Sequence, residues 1–178
     1  MDEEPFETRA VGLGRRMERG NFAIRPISAG ARISTFDGAL FSRREIVARI
    51  ESGLARSGAD PLELGLDLYM QVDEPYLFFN HACEPNAGLS RRCDLVALRD
   101  IAAGEAITCD YATNCSVRNS YVMPFDCACG APSCRRRIGN LATVPLARLR
   151  RYLELGALQD YIRGEAVELL RGAEPPAP

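Results

Sequence analysis

The chain has 178 residues, enough for one domain with a substantial core, and no apolar run approaches the roughly 20 residues that a membrane-spanning helix needs. Charged residues make up 26% and the net charge is −2, which excludes a global electrostatic pull toward nucleic acid or anionic membrane. The opening Met1-Asp2-Glu3-Glu4-Pro5 is acidic and lacks the basic-then-apolar plan of a signal peptide, so the expected setting is cytoplasmic or otherwise intracellular. There the seven cysteines are metal ligands or free thiols before they are disulfides. All 22 side chains counted as lysine or arginine are arginine, a composition that a GC-rich coding sequence produces without any functional cause.

In chain order, residues 21–37 read as short strands broken at Pro26 and at Ser28-Ala29-Gly30, and Asp37-Gly38 is a turn signal. Ser42-Arg43-Arg44-Glu45 is a capping box, followed by Ile46, Val47, Ile50 and Leu54 at helical spacing; this helix should stop near Ser57-Gly58. Residues 66–72 return to a strand-like pattern. The apolar run Tyr76-Leu77-Phe78-Phe79 reads as a buried strand, and residues 94–98 and 106–108 as further short strands about the turn Ala102-Ala103-Gly104. Leu146, Leu149, Tyr152 and Leu153 suggest one amphipathic helix, and Tyr161, Ile162, Val167 and Leu170 a second. Many short strands, one inserted helix and a helical tail predict an α+β domain that is mostly β; a doubly wound parallel sheet would need strand–helix alternation.

Three segments carry chemistry. Cys127-Ala128-Cys129-Gly130-Ala131-Pro132-Ser133-Cys134 places three thiols on a loop that can wrap a tetrahedral ion, and a structural zinc site needs a fourth ligand. With a single histidine in the chain, Cys83, Cys93, Cys109 and Cys115 are the candidate donors. Asn80-His81-Ala82-Cys83-Glu84-Pro85-Asn86 sets polar side chains directly after an apolar run; taken alone, His81 reads as a satisfied structural histidine. Gly104-Glu105-Ala106-Ile107-Thr108-Cys109-Asp110-Tyr111 reads alone as a turn, a strand and a capping Asp, with Tyr111 half-buried.

In this order the segments resemble the SET-domain protein-lysine methyltransferases: Asn-His-x-Cys-x-Pro-Asn, then Gly-Glu-x-(Ile/Leu)-Thr-x-Asp-Tyr, then Cys-x-Cys-x-x-x-x-Cys, with Arg19-Gly20-Asn21-Phe22-Ala23 similar to the family's first motif. The resemblance covers roughly residues 15–140, and the compact, stand-alone form has a bacterial look. It implies a pseudoknot of small β-sheets with an inserted helix, organised as an N-terminal extension over 1–14, the SET domain over 15–113, a Post-SET zinc-binding segment over 114–140, a C-terminal helical extension over 141–172 and a flexible tail over 173–178. It implies zinc held by Cys83, Cys127, Cys129 and Cys134. It implies S-adenosyl-L-methionine bound by Arg19, Gly20, Asn21, Phe22, Tyr69, Asn80, His81, Tyr111, Phe125 and Ile138, and Tyr111 as the catalytic residue.

The sequence departs from the family pattern at Glu18, where a glycine is usual, at Ala82 for serine, and at Cys109, where an aromatic ring commonly limits how many methyl groups are added. The expected partner is a lysine-bearing protein or peptide. Nucleic acid is a lesser expectation resting on Arg135-Arg136-Arg137 and Arg148, Arg150 and Arg151, whose simpler reading is a solvated face. A catalytically idle SET-like binding module and a zinc-dependent adaptor are the rival readings. No oligomeric state follows from the sequence.

Overall fold

The computed structural model describes residues 3–13, 16–55, 61–118 and 124–173. Among the described residues twelve short strands form five small sheets. β1 (Phe6–Leu13) and β2 (Arg16–Ala23) pair antiparallel from Phe6↔Ala23 to Leu13↔Arg16. β3 (Arg32–Thr35), β8 (Ala87–Ser90) and β9 (Asp94–Ala97) make an antiparallel sheet in the order β3-β9-β8. β4 (Gly38–Phe41), β5 (Pro61–Gly65) and β6 (Leu68–Val72) make a second in the order β4-β6-β5. β7 (Asn80–His81) runs parallel to β10 (Thr108–Cys109), and β11 (Phe125–Asp126) pairs antiparallel with β12 (Arg137–Ile138).

Gly38 permits β4 to lie against β6, because a Cβ there would meet the Gln71 carbonyl oxygen at 2.1 Å. Helix α1 (Arg43–Glu51) starts at the predicted capping box: the Ser42 hydroxyl accepts from the Glu45 N–H, and the Glu45 carboxylate accepts from the Ser42 N–H. It ends earlier than expected, at a Ser52 cap followed by Gly53 at φ +74, so the anticipated stop near Ser57-Gly58 lies outside both the helix and the described residues. The apolar run before Asn80 is a 3-10 turn over Tyr76–Phe78 rather than a strand. The N-terminal extension is integral: Phe6 is buried, its ring 4.8 Å from that of Phe79. Of the expected tail, residues 174–178 lie outside the described residues.

Two apolar clusters result. The first joins the sheets through Ile33, Phe36, Leu89, Leu95, Ile101 and Ile107. The second gathers Cys83, Ala112 and Ile138 with the C-terminal helices α2 (Leu146–Glu154) and α3 (Asp160–Gly172), through Leu149, Tyr152, Leu158 and Ile162. Among the described residues no helix is long and apolar enough to cross a membrane.

The segments ending at Asn86 and Tyr111 are locked side by side. The Asn86 amide donates to Glu105 Oε1 (3.0 Å) and the Ala106 carbonyl (2.8 Å) and accepts from the Thr108 N–H (2.9 Å). Glu105 also accepts from Arg99 and from the Ala102 N–H; the Arg99 guanidinium, above all, holds its carboxyl down to about 2. A carboxyl lowered on folding stabilises above its ordinary value of 4.5 and loses that contribution as pH falls from 4.5 through about 2. The melting temperature of Glu105→Gln should therefore lie below that of the wild type at pH 7, with the gap narrowing once pH falls below 4.5. In denaturant unfolding, Ile162→Ala should cost about 2–5 kcal/mol, the usual range for a fully buried aliphatic side chain, and should do so in one cooperative transition because α3 belongs to the second core.

Candidate active site and cysteine cluster

Three stretches converge where β7 meets β10. Asn80 pairs with Thr108 and His81 with Cys109. The Asn80 amide donates to the Arg19 carbonyl at 2.9 Å, and Gly20 leaves room for it, since a Cβ there would lie 3.1 Å from Asn80 Nδ2. Buried Asn21 donates to the Pro75 carbonyl, accepts from Thr8 Oγ1, and through its own carbonyl accepts from the Ile107 N–H. Phe22 follows half-buried, with the Arg9 guanidinium 5.2 Å from its ring centroid.

The His81 ring is enclosed. Its Nδ1 accepts from the Tyr111 N–H at 3.2 Å, and its Nε2 lies 3.5 Å from Cys83 Sγ. Burial, ahead of the nearby charges, lowers it to about 4, so the ring is neutral at pH 7 with its proton assigned to Nε2. His81, Tyr111 and Phe125 form a triangle of rings with centroids 5.5, 5.6 and 6.0 Å apart. Phe125 is placed by β11, where it pairs with fully buried Ile138. The Tyr111 hydroxyl donates to the Phe79 carbonyl at 2.9 Å, at the edge of a small cleft lined by Phe36, Leu62, Val72, Tyr76, Leu77, Cys109 and Asn114. Tyr69 is buried on β6, across from Phe41 and Glu63, and close enough to Tyr161 of α3 to help raise that phenol's pKa.

The sulfurs of Cys83, Cys127, Cys129 and Cys134 lie within 4.8 Å of one another, a grouping that can hold a metal ion. Backbone N–H groups point at them, from Cys83 to Cys129 Sγ (3.4 Å) and from Arg135 to Cys83 Sγ (3.3 Å). Burial opposes ionisation of Cys129, but the N–H groups of Cys83 and Ala131 bring its thiol down to about 7. The other three candidate donors stand apart from this group. Burial pushes Cys109 and Cys115 up to about 12 and raises Cys93, so all three remain neutral thiols at pH 7. All seven cysteines are unbridged. A clasp that sequence reasoning missed closes the loop: Glu84 accepts from Ser133 Oγ at 2.6 Å, and that hydroxyl accepts from Arg148. Its members lie 49 residues apart, with no local pattern to announce them.

Of the arginine-rich stretches, Arg135 turns its side chain inward, whereas Arg136, Arg137, Arg150 and Arg151 are exposed, with Arg137 and Arg151 facing Asp126 and Glu154.

The SET domain family model matches residues 18–112. A histone-lysine N-methyltransferase, H3 lysine-4 specific, from Eremothecium gossypii is 31% identical over 134 residues, covering 65% of this chain and 13% of that protein. A histone-lysine N-methyltransferase, H3 lysine-36 specific, from Mus musculus is 29% identical over 150 residues, covering 78% of this chain and 5% of that protein. Each of these relatives is thus several times longer than the matched region. Among solved structures, the methyltransferase domain of human histone-lysine N-methyltransferase SETMAR superposes with a TM-score of 0.58 at 18% identity, covering 76% of this chain and 58% of that one. KRYPTONITE in complex with mCHG DNA and SAH gives a TM-score of 0.57 at 18% identity, covering 76% of this chain and 30% of that one. These likenesses establish the same arrangement of small sheets.

Proposed function

The chain belongs to the SET-domain family, and from that premise we propose that it transfers methyl groups from S-adenosylmethionine to a lysine side chain of a protein or peptide. The observation that carries this is Tyr111, whose phenol sits at a small cleft with its O–H committed to the Phe79 carbonyl and its backbone N–H to His81. A phenol oxygen that donates its own proton keeps lone pairs that can accept from an amine N–H and so aim the nitrogen lone pair. A free lysine has a pKa of about 10.4, so presenting it neutral at pH 7 costs about 4–5 kcal/mol. Apolar walls such as Phe36, Leu77 and Cys109 disfavour the ammonium and lower that cost, which removes the need for a strong general base.

The residues present fit a cationic methyl donor: His81 is uncharged, and the faces of Tyr111 and Phe125 offer cation–π attraction beside it. When bound, S-adenosylmethionine supplies an activated methyl whose bond to sulfur breaks as the bond to the amine nitrogen forms. We assign its binding to Arg19, Gly20, Asn21, Phe22, Asn80, His81, Tyr111, Phe125 and Ile138. Tyr69, buried on β6, is assigned to the same set by the likeness to the SET-domain family. Alignment of the two reactants in a narrow, dry channel would account for much of the rate. Cys109 is small and has no phenol to hold a water, and on that ground we propose that the product carries more than one methyl group.

We assign zinc to Cys83, Cys127, Cys129 and Cys134, with residues 114–140 as the Post-SET segment. Four sulfurs about 2.3 Å from one ion stand roughly 3.8 Å apart, and Cys83 and Cys127 are 3.9 Å apart. An all-thiol donor set suits zinc and requires a reducing, intracellular setting. Histone H3 is the acceptor in the relatives' names; for this chain the acceptor class is a lysine-bearing protein or peptide.

With labelled S-adenosylmethionine and a whole-cell lysate, wild-type protein should label acceptors and Tyr111→Phe should do so about 100-fold more slowly, the scale of one lost hydrogen-bonding group in an active site. Mass spectrometry should find more than one methyl group per lysine; a lysate left unlabelled by the wild type removes the enzymatic reading. Metal analysis should give about one zinc per wild-type chain and clearly less for Cys83→Ser, with a lower melting temperature in the variant.

A further inference from the structure

Arg135 follows Cys134 in the cysteine loop, yet its side chain is only 9% exposed. It turns inward, and Nη2 donates to Asp110 Oδ1 at 2.5 Å, where Asp110 is 1% exposed. The arginine is held along its length, by its N–H on Cys83 Sγ (3.3 Å) and by Nη1 on the Thr143 carbonyl (3.4 Å). Its Nε has no partner among the described residues. The Asp110 carboxylate is a junction. Oδ1 also accepts from the Ala112 N–H (3.2 Å), capping the turn over Tyr111–Asn114, and lies 3.8 Å from His81 Nδ1. Oδ2 accepts from the Tyr152 hydroxyl of α2 at 3.4 Å.

A buried ion pair is an inefficient source of stability, since desolvating both charges offsets most of their attraction, and apolar side chains of the same volume often serve as well. What a charged pair adds is direction: a planar guanidinium with its nitrogens committed to two acceptors fixes the orientation of both. The residue whose orientation is at stake is Tyr111, which directly follows Asp110.

We infer that the buried Asp110–Arg135 pair is a positioning device for the Tyr111 phenol, making its placement depend on the wrapping of the cysteine loop around Cys83. The inference rests on the methyltransferase reading for its kinetic consequence but not for its geometric one. When the four sulfurs are gathered, Arg135 reaches Asp110 and the turn that carries Tyr111 is fixed. When they are not, Asp110 is left as an unpaired buried charge and the turn is released.

The test compares Asp110→Asn, Arg135→Met and the double variant by melting temperature, zinc content, steady-state kinetics and 13C NMR of tyrosine labelled at Cζ, with Tyr111→Phe identifying the Tyr111 signal. Each single variant should melt well below the wild type. The double variant should recover most of the lost melting temperature and keep its zinc. Its kcat in labelling whole-cell lysate should nevertheless stay about tenfold or more below the wild type, as expected of a misplaced reacting group, with an unchanged KM for S-adenosylmethionine and a displaced or broadened Tyr111 signal. Wild-type kcat together with an unchanged Tyr111 signal in the double variant would overturn the inference. If the wild type transfers no methyl, the proposed function fails while the Tyr111 signal still decides the positioning role. If the double variant does not fold, Arg135→Lys keeps the charge but not the guanidinium geometry: a lower kcat or a displaced Tyr111 signal at unchanged zinc content supports the inference, and wild-type values of both overturn it.

Discussion

Two residues of β7 pair with two residues of β10, and nearly every group in the cleft is placed by that crossing. A ladder this short contributes little alone. It persists because side chains complete what the backbone cannot: the Asn86 amide makes three hydrogen bonds to the opposite segment, and the Asn80 amide reaches the Arg19 carbonyl. Each bond is worth about 0.5–1.5 kcal/mol net, but a buried amide left unsatisfied would cost about 1–3 kcal/mol. Asn86, 2% exposed, therefore tolerates very few alternative arrangements of the two segments. His81 extends the same logic outward, linking the Tyr111 backbone on one side of its ring to the Cys83 sulfur on the other.

The C-terminal helices continue the structure rather than decorate it. The Tyr161 hydroxyl donates to the Asn114 carbonyl, and Glu165, itself buried, accepts from Ser116 Oγ and the Val117 N–H. These contacts pin the stretch immediately after Tyr111. The turn that carries Tyr111 is thus held by two elements outside the region that the SET family model matches, and each contact uses a buried carboxylate, Asp110 for the cysteine loop and Glu165 for α3.

Local signals were legible in the sequence and distant ones were not. The capping box at Ser42 and the amphipathic spacing of Leu149 and Tyr152 depend on neighbours three or four residues away, so they could be read directly. Tyr76 to Phe79 misled because an apolar run suits a buried strand or a buried turn equally, and packing against Phe36 and Phe6 settled the matter. The helix after Ser42 looked longer than it is, because Leu54 kept the apolar spacing while being 62% exposed. The company of Cys83 came from resemblance to a family, since nothing in the spacing distinguished it from Cys93, Cys109 or Cys115. Neither the Asp110–Arg135 pair nor the Glu84–Ser133 clasp left a trace, as charged and polar residues on loops are usually solvated.

Phe6 bears on where this protein could be cut. Its ring meets Phe79, next to the Asn80 that anchors the cleft, and its strand lies before residue 18, where the family match begins. An excised fragment bounded by that match would lack this ring at one end and Leu149, Tyr152 and Ile162 at the other. It would also lose three of the four gathered sulfurs. The stretch that the SET family model matches is therefore smaller than the two apolar clusters it draws on, and domain grafts or chimaeras built from this chain should take their boundaries from those clusters rather than from its motifs.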